Sequence, residues 1–166
     1  MYVTSAIAEE IPFREAVTPS EKALDAIIHL QESEDDAVFY ARQTPWRNVK
    51  KDERFKPFFS IELVAAWSKA ERQAVRRNCQ GKYIEGEDCG IEVHPILCAQ
   101  DFSKEGYAYR TESSMKNAAV ISYRWPQFPE VIATYRMILE NERWVLDGVS
   151  CRQGPAFNMN SRVEAK

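Results

Sequence analysis

The spacing of hydrophobic and polar positions changes once along this chain, from helical periodicity before residue 80 to alternation after residue 90. The first helical segment opens at Thr18-Pro19-Ser20-Glu21. This reads as an N-cap, a proline at the first helical position and a glutamate placed to close a capping box. Ala23, Leu24, Ile27 and Ile28 continue it as one apolar stripe, which predicts a helix to about Gln31. Ser33-Glu34-Asp35-Asp36 reads as a second cap, starting a shorter helix through Phe39, Tyr40 and Arg42 that Thr44-Pro45 ends. After a polar connector over 47–54, Phe55, Phe59, Leu63, Ala66, Trp67, Ala70 and Ala74 predict the longest helix, ending near Asn78 ahead of Gly81 and Gly86. Its opposite face carries Lys69, Arg72, Gln73 and Arg76, a basic stripe that is ordinarily a solvated face and only rarely an anion site.

From Ile91 the period is two, and β-branched and aromatic residues become dense. The pattern predicts antiparallel strands at 91–97, 106–113, 118–125, 130–140 and 143–151, with Glu140-Asn141-Glu142 turning the last hairpin. Ile121, Tyr123 and Trp125 fall on one face of the third strand and Val120, Ser122 and Arg124 on the other, as expected of a strand covering a core. The fourth strand is largely apolar on both faces, which suits a central position. Residues 1–17 show no periodicity and read as an extended lead-in. Residues 154–166, from Gly154-Pro155 on, read as a flexible polar tail. The expected architecture is a single α+β domain over 18–153, with N-terminal helices packed on one face of a curved antiparallel sheet of four or five strands.

Composition narrows the class. A chain of 166 residues accommodates one domain, and 45% hydrophobic residues with only 6 Gly and 8 Pro support a packed core rather than disorder or collagen. With 22 Lys+Arg against 25 Asp+Glu the net charge is −3, so the overall field gives nucleic acid no attraction. The apolar runs fall short of the roughly 20 residues a bilayer-spanning helix needs. Ala6-Ile7-Ala8 before Glu9-Glu10 has the small-x-small form of a leader-cleavage site, which the stub of a removed leader and a chance triplet both produce.

The four cysteines form no C-x-x-C pair, so a zinc ribbon or thioredoxin-like motif is unsupported. Cys79 and Cys89 flank a loop with two glycines that lets the chain double back, which predicts a short-loop disulfide and leaves Cys98 to pair with Cys151. Two such bridges imply a periplasmic or secreted protein. Four buried thiols in a cytoplasmic protein are the alternative.

Phe58-Phe59-Ser60-Ile61-Glu62-Leu63, then Pro95-Ile96-Leu97-Cys98-Ala99-Gln100-Asp101, then the closing hairpin Arg143-Trp144-Val145-Leu146-Asp147-Gly148-Val149 resemble the nuclear-transport-factor-2-like (cystatin-like) superfamily. More narrowly, the chain is similar over about residues 20–151 to a family of bacterial, mostly exported domains in which an "FS..L" helix precedes a "DPF..GQD"-like stretch. His94 stands where that family has aspartate and Ala99 where it has glycine. The resemblance implies a cone with a pocket between the helices and a concave sheet, and an exposed sheet face that often forms homodimers. It carries over no catalytic residue.

In such a cone a general base is an ionisable group whose pKa burial has raised, and Asp101 is the candidate, with Tyr107, Tyr109, Tyr123 or Tyr135 available to polarise a carbonyl. Capping a turn is the plainer role for Asp101. His29 and His94 are the only histidines. His94 and Cys98, four strand residues apart, are about 13 Å apart at roughly 3.3 Å per residue, poor geometry for a base and nucleophile. Glu85-Gly86-Glu87-Asp88 lacks the alternating ligand frame of a calcium loop, and no metal, cofactor motif or phosphate loop is expected. Trp125-Pro126-Gln127-Phe128-Pro129 either projects as a protein-binding element or folds back to plug one end of the sheet. Arg124 and Arg136, with Arg110, fall on one sheet face, either as a site for an acidic partner or in pairs with Glu112 or Glu130.

Two functions follow. One is a non-catalytic, exported binding domain for a protein partner, in an inhibitor or immunity-type role. The other is a small-ligand-binding protein or enzyme that uses the cone pocket with Asp101 as base. Trp67, Tyr123, Tyr135 and Met137 are numerous enough to fill the interior, which favours binding.

Overall fold

Thr18 caps helix α1 (Pro19–Leu30) as its sequence dictates: its Oγ1 accepts the Glu21 amide at 3.2 Å, and the Glu21 carboxylate accepts the Thr18 amide at 3.1 Å. The computed structural model describes residues 11–31, 57–99, 103–154 and 156–159. The expected second helix over 33–42, Phe55 and Asp101 lie outside the described residues.

Helix α2 (Ile61–Cys79) begins later than its apolar spacing predicts, because Ser60 is its cap and accepts the Leu63 amide at 3.1 Å. Phe59 keeps its place in the core from extended backbone. The chain there runs parallel to Leu146, with Ser60 N donating to Leu146 O at 2.9 Å and Leu146 N to Phe58 O at 2.8 Å. At the other end Gln80 takes a left-handed conformation, φ 55°, and stops the helix.

Strands β1 (Ala108–Met115), β2 (Ala118–Arg124), β3 (Ala133–Glu140), β4 (Arg143–Cys151) and β5 (Ala156–Phe157) form an open antiparallel sheet in sequence order. Asn141 and Glu142, both at positive φ, make the two-residue turn between β3 and β4. Residues 156–157, placed by pattern in the polar tail, pair with Ser150 and Val149.

The expected first strand, 91–97, does not form. Its amides are engaged elsewhere: Ile91 N donates to Glu71 Oε2 at 3.0 Å, and Ile96 N and Leu97 N donate to His94 Nδ1 at 3.2 and 3.1 Å. His94 thus caps a turn in the way an aspartate does at an Asx turn. Ile96 and Leu97 are buried all the same, which is why the segment carries strand-like hydrophobicity.

Register puts Tyr109 opposite Tyr123 and Ile121 opposite Tyr135, so these residues share one face of the sheet. Leu24, Ile27 and Ile28 of α1 and Leu63, Val64 and Trp67 of α2 join them in one core, so both helices cover that face. Two disulfides brace the domain. Cys79–Cys89 closes the loop after α2 and Cys98–Cys151 ties the 91–99 segment to the end of β4, with Cα separations of 5.4 and 5.2 Å. Among the described residues no helix is long and apolar enough to cross a membrane.

Candidate functional site

Among the described residues the face of the sheet beneath the helices is packed with buried side chains. Trp67, Tyr123, Tyr135 and Met137 are all buried, and the tyrosine rings lock against one another, Tyr123 on Tyr135 at 5.7 Å and on Tyr109 at 6.1 Å. Their hydroxyls are engaged: Tyr135 donates to the Ile96 carbonyl, Tyr109 to Asp25 Oδ1 at 2.7 Å, and Tyr123 accepts from Trp125 Nε1 at 2.9 Å. Burial first, and then neighbouring tyrosines, push the Tyr135 hydroxyl far above its ordinary pKa. Burial and the Asp25 bond do the same for Tyr109. Tyr123 and Tyr135, the candidate acids of the pocket reading, have no exposed surface.

Of the basic stripe on the sheet, Arg110 and Arg136 pair with carboxylates, whereas Arg124 Nη1 donates to the Pro129 carbonyl at 3.4 Å. Arg136 is buried and bonded to the Asp147 carboxylate, which also accepts from Ser60 Oγ and from Asn158 Nδ2 at 3.2 Å. Asp147 therefore joins α2, β3, β4 and the chain beyond β5, with Arg136 buried beside it. Arg110 bonds Glu112 at 2.8 Å, and the Arg110 and Arg124 guanidinium groups lie over the Phe13 ring at 4.4 and 4.7 Å. Cys98, being in a disulfide, is no nucleophile, and His29 is turned to the Asp25 carbonyl at 2.8 Å.

An open cleft lies among the described residues at the end of the sheet, at the Trp125-Phe128 loop. Pro126 occupies the second position of a turn closed by Phe128 N donating to Trp125 O at 3.0 Å. The two rings pack at 5.6 Å. Trp125 is anchored inward by its bond to buried Tyr123, whereas Phe128 is 49% exposed, so the loop both plugs the sheet and projects from it. Beside it lies a cleft of about 420 Å³ lined by Val93, Cys98, Trp125, Phe128, Val131 and Ile132, with Glu130 and Arg152 on its rim. Arg152 N bonds the Ile132 carbonyl at 2.9 Å, and its guanidinium meets Glu130 at 2.8 Å.

No family model, curated protein or solved structure matches the chain. The cleft is a mainly apolar depression lined by the Trp125 and Phe128 rings and by Cys98. Among the described residues no group of His, Cys, Asp or Glu has metal-holding geometry. The cleft brings Trp125 and Phe128, which the sequence singles out, beside Val93, Ile132 and Arg152, which it does not, because it arises where the 91–99 segment, bridged by Cys98–Cys151, approaches the ends of β3 and β4.

Proposed function

We propose that this protein is a disulfide-braced, exported, non-catalytic domain that binds a protein partner through the Trp125-Phe128 cleft. The observation that carries this reading is the contrast between the buried, hydrogen-bonded tyrosines beneath the sheet and an accessible aromatic cleft. Tyrosine and tryptophan hydrogen-bonded at one end and apolar at the other are the anchors that dominate protein interfaces. Phe128 costs the free domain apolar exposure that a partner would remove. Two disulfides fit an oxidising compartment outside the cytoplasm. Helices on one face of an open antiparallel sheet, with Ser60 of the "FS..L" stretch capping α2, support placing the domain in the nuclear-transport-factor-2-like superfamily.

Affinity capture of the tagged protein from its native cells, run beside Phe128→Ala, tests the function. A near-stoichiometric partner kept by the wild type and lost by Phe128→Ala is the expected result. Capture of nothing, together with a small-molecule fraction that raises the melting temperature of wild type but not of Asp101→Asn, would overturn it in favour of the pocket.

A further inference from the structure

A second cleft, of about 500 Å³, lies beside the aromatic one and shares Val93 and Gln153 with it, but a larger share of its lining is polar. One wall is a single face of α2, where Ala70, Gln73, Ala74 and Arg77 follow at i, i+3, i+4 and i+7. The chain from Gly90 to Val93 also lines the cleft and brings Glu92 into it, while Ile91, Val93 and Phe157 supply apolar surface. These two segments are tied to each other. Arg77 lies two residues before Cys79 and Glu92 three after Cys89, the partners of one disulfide, and Glu71 of α2 accepts the Ile91 amide at 3.0 Å. Arg77 and Glu92 are thus carried on backbone that is fixed before any ligand arrives. In the neighbouring cleft Glu130 and Arg152 neutralise each other at 2.8 Å. Here the opposite charges do not meet: among the described residues no ion pair or side-chain hydrogen bond is made by Arg77, Glu92, Gln73 or Gln153. A cleft lined by a free cation, a free anion and two free amides is complementary to a molecule that is itself dipolar.

We propose that this cleft binds a short zwitterionic peptide by its two ends. The peptide carboxylate meets Arg77, whose guanidinium takes a carboxylate through two parallel hydrogen bonds, and the peptide ammonium meets Glu92. Gln73 and Gln153 bond its amide groups, and an apolar side chain sits against Ile91, Val93 and Phe157. A free amino acid carries its ammonium and carboxylate on one carbon, so it suits charged partners that nearly touch. Each further residue moves the ends of an extended peptide about 3.3 Å apart, so about two or three residues suit partners too far apart to pair with each other. This site goes beyond the partner reading. A protein partner offers the cleft one chain end at most, whereas a short peptide offers both.

The test is calorimetric titration of the intact, disulfide-bonded protein with unblocked dipeptides and tripeptides of alanine, valine, leucine and phenylalanine, each beside its N-acetylated and its C-amidated form. Wild type is compared with Arg77→Gln, Glu92→Gln and Phe128→Ala, each variant first shown to melt like wild type. An unblocked peptide is expected to bind wild type and to weaken about tenfold or more when either end is blocked, since each block removes a charge-assisted hydrogen bond. The two charge variants should split that effect. Arg77→Gln should bind unblocked and amidated peptide equally while still rejecting the acetylated one, and Glu92→Gln should show the reverse. Phe128→Ala should bind as wild type does. No binding of any unblocked peptide, binding that blocking leaves unchanged, or discrimination that survives both single substitutions overturns the proposal. Sensitivity to one block alone also overturns it and assigns the cleft to the end of a longer chain. Loss of peptide binding in Phe128→Ala overturns it by moving the peptide to the aromatic cleft.

Discussion

A carboxylate with no exposed surface must be held by donors, and Glu21 has them on every side: Thr111 Oγ1 at 2.7 Å, Arg14 Nη1 at 2.8 Å, and the amides of Val17 and Thr18 at 2.9 and 3.1 Å. Burial by itself would raise its pKa, but these bonds outweigh burial and hold it down at about 2, against 4.5 for an ordinary glutamate. A depressed carboxylate stabilises the fold fully above its unfolded pKa and loses that contribution as pH falls toward its folded pKa. The window here is about pH 5 to pH 2, and the contribution is roughly 3 kcal/mol. Urea unfolding of wild type and Glu21→Gln across this range should show a stability gap that is widest near pH 7 and shrinks on acidification. A gap that stays constant down to pH 2 would refute the account. Asp147 gives a second residue-scale prediction. Asp147→Ala leaves Arg136 buried without its counter-charge, and denaturant melts should register a loss of about 3 to 5 kcal/mol.

Elements held together by local chemistry were legible in the sequence, and those held by distant partners were not. Thr18, Pro19 and Glu21 announce α1 because a capping box is closed within four residues, and the positive-φ pair Asn141-Glu142 turns the β3–β4 hairpin within its own two residues. The 91–97 segment reads as a strand because Ile91, Val93, Ile96 and Leu97 are spaced for burial. What decides it is long-range, a buried Glu71 twenty residues earlier that takes the Ile91 amide. The same contact explains Gly90, where an added Cβ would come within 2.0 Å of Glu71 Oε1. Gly90→Ala should displace that carboxylate from Ile91 and Tyr83 and lower stability by about 2 kcal/mol, measured by thermal melting. The disulfides were readable from spacing, and their weights should differ. Cross-linking across 53 residues restricts the unfolded chain more than across 10, so a Cys98→Ala/Cys151→Ala protein should lose about 4 kcal/mol and a Cys79→Ala/Cys89→Ala protein about 3. Alkylating the unfolded, unreduced wild type and weighing it checks the premise, since any added label refutes at least one bridge.

Across the described residues, buried and exposed aromatic side chains separate, and the proposed function rests recognition on the exposed ones. Tyr109, Tyr123 and Tyr135 lie under the sheet with no exposed surface and with engaged hydroxyls, whereas Phe128 stands half in solvent above a cleft that the core does not fill. The sequence separated these groups in outline, with Tyr123 and Tyr135 at strand positions facing the core and Phe128 in a proline-flanked loop, but it left open whether that loop projects or folds back. If the division holds, two single substitutions should give opposite profiles. Tyr135→Phe removes the donor to the Ile96 carbonyl and strands that acceptor in the core, so it should cost about 1 to 3 kcal/mol while partner affinity is unchanged at temperatures where the variant is folded. Phe128→Ala removes a half-exposed ring, so its melting curve should lie within about 0.5 kcal/mol of wild type while captured partner falls away. The reverse pattern, with Tyr135→Phe abolishing an interaction and Phe128→Ala leaving it intact, would relocate the site beneath the sheet and make the interior, rather than the aromatic loop, the place where this domain meets its ligand.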